Sequence, residues 1–199
     1  MFGLDREASR LFRALDTPRK IQDFLNTIPA STDGAYRSPQ RVLRDRRAHC
    51  LDGALCAAAA LWMHGERPLI LDLQSVPADD DHVVALFRQH GRWGAISKTN
   101  HAVLRYRAPI YRSVRELAAS YFHEYFLDDG RKTLRSYSRP FDCSRQRDGA
   151  WVAAEDDLRD LADALDISPH IPLLDRRMIA GLRRADAIEI TAGKHVEWK

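Results

Sequence analysis

Two residues of this chain have the types and the settings for acyl-transfer chemistry. Cys50 stands where the basic, polar segment Arg46-Arg47-Ala48-His49 gives way to an alanine-rich apolar run, and His82 opens the run His82-Val83-Val84-Ala85-Leu86-Phe87. A thiol attacks carbonyl carbon as the thiolate, and both the first turn of a helix and a neighbouring imidazole favour that form. A cysteine with a histidine within reach therefore supplies a nucleophile and a general base. A third group on the far ring nitrogen would fix the tautomer of His82. Ser97, Asn100 and His101 are the candidates at the end of the following strand. Asn100 stands first because its amide oxygen is the stronger acceptor, and Ser97 is the alternative that better fits the strand register.

The remaining reactive types are less suggestive. Cys56 falls mid-helix among alanines and Cys143 in a loop, both places for buried, inert thiols. The other histidines are scattered, with no spacing that would hold a metal. The ten glycines are dispersed and form no phosphate-binding loop. No metal and no cofactor is expected.

The elements that must position Cys50 and His82 read as follows. Residues 5–15 carry helical spacing; Thr17-Pro18 and Ser38-Pro39 each read as an N-cap followed by proline in the first helical turn. A buried helix runs from Cys50 to Gly65, with Ala54, Leu55, Ala57, Ala58 and Leu61 covering most of its circumference. Residues 68–73 form a buried strand. His82–Phe87 and Arg92–Ser97 form a hairpin turning at Arg88-Gln89-His90-Gly91, which places His82 opposite Ser97. Residues 100–112 read as a linker, and Ser113-Val114-Arg115-Glu116 as a capping box opening a helix that reaches Phe126. After a polar stretch, 131–147, come a helix through Leu165, another around 176–184 and a closing strand over 187–191.

Composition narrows the class. A chain of 199 residues, 45% hydrophobic, is sufficient for one substantial core. A net charge of +3 from 31 basic and 28 acidic side chains describes a salt-bridged surface rather than a nucleic-acid binder. The arginines Arg37, Arg41, Arg44, Arg46 and Arg47 form the most basic stretch, read first as a solvated face and second as a contact for RNA or another anion. Three cysteines without framework spacing fit a reducing compartment. With neither a signal-like N-terminus nor an apolar run of spanning length, the expected location is cytoplasmic, with no membrane partner.

In order and kind, a cysteine at a helix start, a strand, a histidine-led strand, a hairpin and a polar orienter resemble the transglutaminase-like branch of the papain-like cysteine enzymes. The likeness covers residues 46–100 and includes Ala54 behind the nucleophile and Trp93 before the third catalytic position. It implies Cys50 as nucleophile, His82 as base and the Cys50 backbone N–H as an oxyanion donor. It also implies an α+β fold in which the cysteine-bearing helix packs on an antiparallel sheet with peripheral helices. Two positions depart from the pattern: Ser97 falls where the family usually has aspartate, and Leu51 where an aromatic often follows the nucleophile. One domain, 1–199, would then comprise a helical layer (1–45), the catalytic core (46–100) and a completing segment (101–199). Three functions are expected in turn: a cysteine-dependent hydrolase or acyl transferase acting on a peptide, protein or small amide; a catalytically silent domain that binds a peptide or protein; and an RNA- or anion-binding module through Arg37–Arg47.

Overall fold

A computed structural model describes residues 2–198. Its first three helices, α1 (Arg6–Ala14), α2 (Pro18–Asn26) and α3 (Pro39–Asp45), each start at a side-chain cap. Asp5 accepts from Ala8 N, Thr17 from Lys20 N and Ser38 from Arg41 N, so each satisfies one otherwise unpaired amide of a first turn. These helices gather around α4 (Cys50–Met63), buried continuously from Leu51 to Leu61. Small side chains on nearly all sides of α4 let helices and sheet approach together.

A seven-stranded antiparallel sheet carries the rest: β1 (Leu69–Gln74), β2 (His82–Gln89), β3 (Arg92–Ser97), β4 (Arg107–Tyr111), β5 (Ser136–Ser138), β6 (Phe141–Asp142) and β7 (His170–Pro172). The order across the sheet is β4-β3-β2-β1-β5-β7, with β6 paired separately to β1. Strand alternation divides the core in two. Ile70, Val83, Ala85, Phe87 and Ile96 pack with α4 and its helical neighbours. On the other face, Leu71, Leu73, Val84, Leu86 and Ala95 pack with Leu117, Tyr121 and Tyr125. The molecule is thus α+β.

Several boundaries differ from the sequence expectations for identifiable reasons. β2 extends to Gln89, and the hairpin turns on His90 and Gly91 alone, with φ of 49° and 74°. Two consecutive positive φ values make the tight loop whose twist suits antiparallel strands. Ser97 consequently stands opposite Val84 instead of His82. A slip of two residues preserves the face, so Ser97 and His82 still share it.

The expected linker contains β4, and the polar stretch contains β5 and β6. The helix from Ser113 is short, α5 (Val114–Ala119), followed by a 3-10 turn at Phe122–Glu124. After α6 (Arg159–Asp166) and α7 (Arg176–Ala180), residues 187–191 belong to a helix, α8 (Ala187–Gly193), and not to a strand. Their alternating apolar pattern is overruled by a capping box, Asp186 with Glu189. Among the described residues no helix is long and apolar enough to cross a membrane.

Candidate functional site

Cys50 is the first residue of α4, and the cap preceding it is unusual. His49 is the N-cap, its Nδ1 accepting from Leu51 N at 3.1 Å, while Asp52 Oδ2 accepts from His49 N at 3.2 Å. Asp52 Oδ1 also accepts from Arg37 N at 2.7 Å, tying the preceding loop to the helix start. Asp52 is fully buried, and that burial pushes its carboxyl up to about 7 although two backbone amides pull against it. The Arg37 side chain, itself buried, reaches Asp33, Asp45 and Asp52. Arg44 pairs with Glu155 and Asp45, Arg41 and Arg47 approach Asp45 and Asp33, and Arg46 lies over the Phe24 ring. The arginine-rich stretch is therefore largely committed to internal partners.

One turn into α4, Gly53 is the residue that brings β3 to the thiol. A Cβ at this position would overlap Lys98 Cβ. Lys98 follows Ser97, so the missing side chain allows the end of β3 to lie against the same first turn that carries Cys50. The backbone N–H groups of Val83, near the start of β2, and of Leu51 favour the thiolate. Desolvation outweighs both, and Asp52 and Asp72 add repulsion; together they push the thiol up to about 11. The basic surroundings expected from sequence do not leave a standing thiolate.

His82 lies at the start of β2 and is 6% exposed. Its Nε2 is 2.8 Å from Ser97 Oγ, which in turn lies 2.5 Å from the Leu104 carbonyl. A carbonyl only accepts, so the serine hydroxyl donates to Leu104 and its lone pair receives Nε2–H. The proton on Nε2 leaves Nδ1 as the bare, basic nitrogen. Burial pushes the imidazole down to about 4, the Leu104 carbonyl opposing the shift, so at neutral pH the ring is uncharged.

Of the three candidates for the third place, Ser97 makes the contact and Asn100 and His101 do not. The Asn100 amide donates to Trp198 O at 3.0 Å and accepts from Trp198 N at 2.8 Å, and its carbonyl receives Glu197 N at 2.8 Å. Both side-chain functions are thereby spent on the C-terminal segment. His101 Nδ1 is similarly engaged, 3.1 Å from Gly193 O.

Two cavities meet at Cys50. The first, about 440 Å³, contains His82, Lys98, Asn100, Glu124 and Tyr125 in its lining. The second, about 840 Å³, contains Asp72, Val83 and Asp166. Cys50 and the loop Asp79-Asp80-Asp81 border both. No hydrogen bond joins the thiol to the His82 ring; they share the wall of the first cavity. The Cys50 N–H, first of the helix, has no acceptor among the described residues.

The sequence reading missed Asp72 and His170. His170 Nε2 lies 2.9 Å from Asp72 Oδ2, and its Nδ1 lies 2.7 Å from Ser168 O. The acidic residue in an apolar strand, Leu71-Asp72-Leu73, was the available signal; His170 is too distant in sequence to be paired with it by pattern. Among the described residues no three His, Cys, Asp or Glu side chains are grouped to hold a metal ion. Compared with known proteins, the chain matches no family model and no curated protein sequence.

Proposed function

We propose that this protein is a cysteine-dependent acyl-transfer enzyme with a transglutaminase-like, papain-like core, in which Cys50 is the nucleophile, His82 the general base and Ser97 the residue that orients the base. The observation that carries this reading is the chain Leu104 O–Ser97 Oγ–His82 Nε2, which leaves Nδ1 unprotonated beside a cavity shared with Cys50. Because the thiol is raised and the imidazole lowered, the resting pair is neutral. Attack is then concerted: Nδ1 takes the thiol proton as sulfur bonds to the carbonyl carbon. The free Cys50 N–H, at the positive end of α4, is placed to receive the developing oxyanion. On collapse the imidazolium returns its proton to the leaving amine or alcohol, producing a thioester. Water or an amine then attacks that thioester, giving hydrolysis or transfer.

An active-ester probe with mass-spectrometric detection tests this. The expected result is an acyl adduct on Cys50, formed faster as pH rises, lost in Cys50→Ala and strongly slowed in His82→Ala. A second reading, a silent domain of the same fold that binds a peptide or protein, is favoured by the missing carboxylate at Ser97 and the high thiol pKa. Failure of Cys50 to acylate up to pH 9 would select it.

A further inference from the structure

Asp72 projects from β1 on the face occupied by α4 and borders the larger cavity together with Asp79, Asp80, Asp81 and Asp166. No lysine or arginine lines this space, and among the described residues none forms an ion pair with Asp79, Asp80, Asp81 or Asp166. Asp72 is only 1% exposed; His170 occupies its Oδ2, while Oδ1 has no hydrogen-bond partner. A buried carboxylate oxygen without a donor is destabilising, more so when charged, unless a ligand satisfies it. Val76, Val83, Ala162 and Leu165 add an apolar surface along the same cleft. The lining thus combines five aspartates with hydrocarbon. That pattern suits a long side chain with a charged head and an aliphatic stem.

We propose that this cleft is a recognition subsite for a basic side chain, a lysine ammonium or an arginine guanidinium, on the substrate that Cys50 attacks, with Asp72 Oδ1 as its innermost acceptor. The inference rests on the acyl-transfer reading for its meaning, although the binding itself does not require it. The head group donates to Oδ1, and the stem runs along Val76 and Leu165 toward Cys50. Asp81 and Asp166 repel Asp72 in the empty cleft, and a cation between them reverses that repulsion. A divalent ion is poorly served, because among the described residues no three of these side chains are grouped around one point.

The bound cation is not the group that attacks the thioester. An attacking amine must lose a proton, yet His82 faces the other cavity, and the surrounding carboxylates hold an ammonium in its charged form. The subsite therefore selects substrates by charge, on the opposite side of Cys50 from the base.

Calorimetric titration of the full chain with Nα-acetyllysinamide and Nα-acetylargininamide tests the proposal, with Nα-acetylnorleucinamide as the uncharged isostere and magnesium as the metal arm. One-to-one binding of either basic probe, at least tenfold tighter than norleucinamide, is expected. Asp72→Asn keeps an oxygen for His170 and turns an amide nitrogen toward the cleft, and should weaken binding at least tenfold. Asp166→Asn, at an exposed site where folding is not at risk, should weaken it several-fold. Equal binding of norleucinamide, indifference to both substitutions, or displacement of the basic probe by stoichiometric magnesium would overturn the assignment. Because no step depends on thiol reactivity, an unreactive Cys50 would defeat the acyl-transfer reading and leave this result standing.

Discussion

The two cavities that meet at Cys50 are bordered by consecutive residues of one strand, yet they differ in chemistry. His82 turns to the smaller cavity, where it is neutral, desolvated and oriented through Ser97 to a backbone carbonyl. Val83 turns to the larger one, opposite Asp72, where carboxylates collect with no lysine or arginine in the lining. The smaller cavity is mixed in sign, with Lys98 and Lys194 among its lining residues. Under the proposed function, strand alternation by itself separates a place for proton transfer from a place for charge recognition. The thiol at the helix start borders both, with the His49 ring and the Asp79-Asp80-Asp81 loop beside it.

The largest expected effect breaks this comparison directly. His82→Ala should slow acylation of Cys50 at pH 7.5 by roughly 10²–10⁴, the usual range for losing a general base. Binding of Nα-acetyllysinamide should be unchanged. Asp72→Asn should do the reverse with a small uncharged acyl donor, weakening amide binding while keeping or modestly raising the acylation rate, because its repulsion of the thiolate is removed. Rate and affinity measured side by side give the answer, and loss of both functions in either variant would mean that the cavities are not separate.

Much of the first cavity was legible from sequence and little of the second. Cys50 at a helix start and His82 at a strand start follow from local patterns: a polar-to-apolar switch, and an apolar run after three aspartates. Ser97 was legible because hairpin parity survives a two-residue slip. Asn100 misled because its chemistry suits the role, while its partners, the backbone groups of Trp198, lie at the far end of the chain. Asp72 and His170, nearly a hundred residues apart, meet only through the pairing of β1 with β5 and of β5 with β7. No spacing rule reaches across a sheet in that way.

The next effect sharpens the contact on which both cavities depend. Gly53→Ala places a methyl group into Lys98 Cβ, so either α4 or the end of β3 must move. Overpacking of this kind costs about 1–3 kcal/mol, measurable as a lowered urea midpoint. Because the strain falls one turn from Cys50, acylation should drop with it. Full stability in the variant would show that the first turn of α4 and the end of β3 are free to separate.

A smaller signal comes from acid. His82 moves from an ordinary pKa of 6.5 down to about 4 on folding, so between those values the unfolded chain binds a proton that the native ring refuses. Its contribution to stability is complete above pH 6.5, declines as pH falls toward 4 and stays constant below. The slope is at most about 1.4 kcal/mol per pH unit. Asp72 and Asp52 run in the opposite sense: raised to about 6 and about 7, they favour folding at low pH and lose that contribution as pH rises through those values. Urea titrations of His82→Gln and wild type should differ in slope between pH 6.5 and 4 and run parallel outside that interval. Parallel curves there would show that the ring is charged in the native state.

The smallest effect concerns Asn100, and its interest lies in what should not change. Its amide clasps Trp198 on both sides, and Arg105 adds an ion pair to Glu197 at 3.0 Å, fastening a C-terminal segment that lines the smaller cavity through Ile190, Gly193 and Lys194. Removing the amide in Asn100→Ala forfeits two hydrogen bonds at a half-buried site, about 1 kcal/mol each at most. Because water can reach the freed backbone groups, the loss should remain local. Amide exchange should therefore accelerate in residues 194–198 and nowhere in α4 or β2. Acylation of Cys50 should stay within about twofold, since Ser97 holds His82 without help from Asn100. A fall as large as that in His82→Ala would put Asn100 back in the catalytic arrangement and show that the C-terminal segment, not Ser97, sets the orientation of the base.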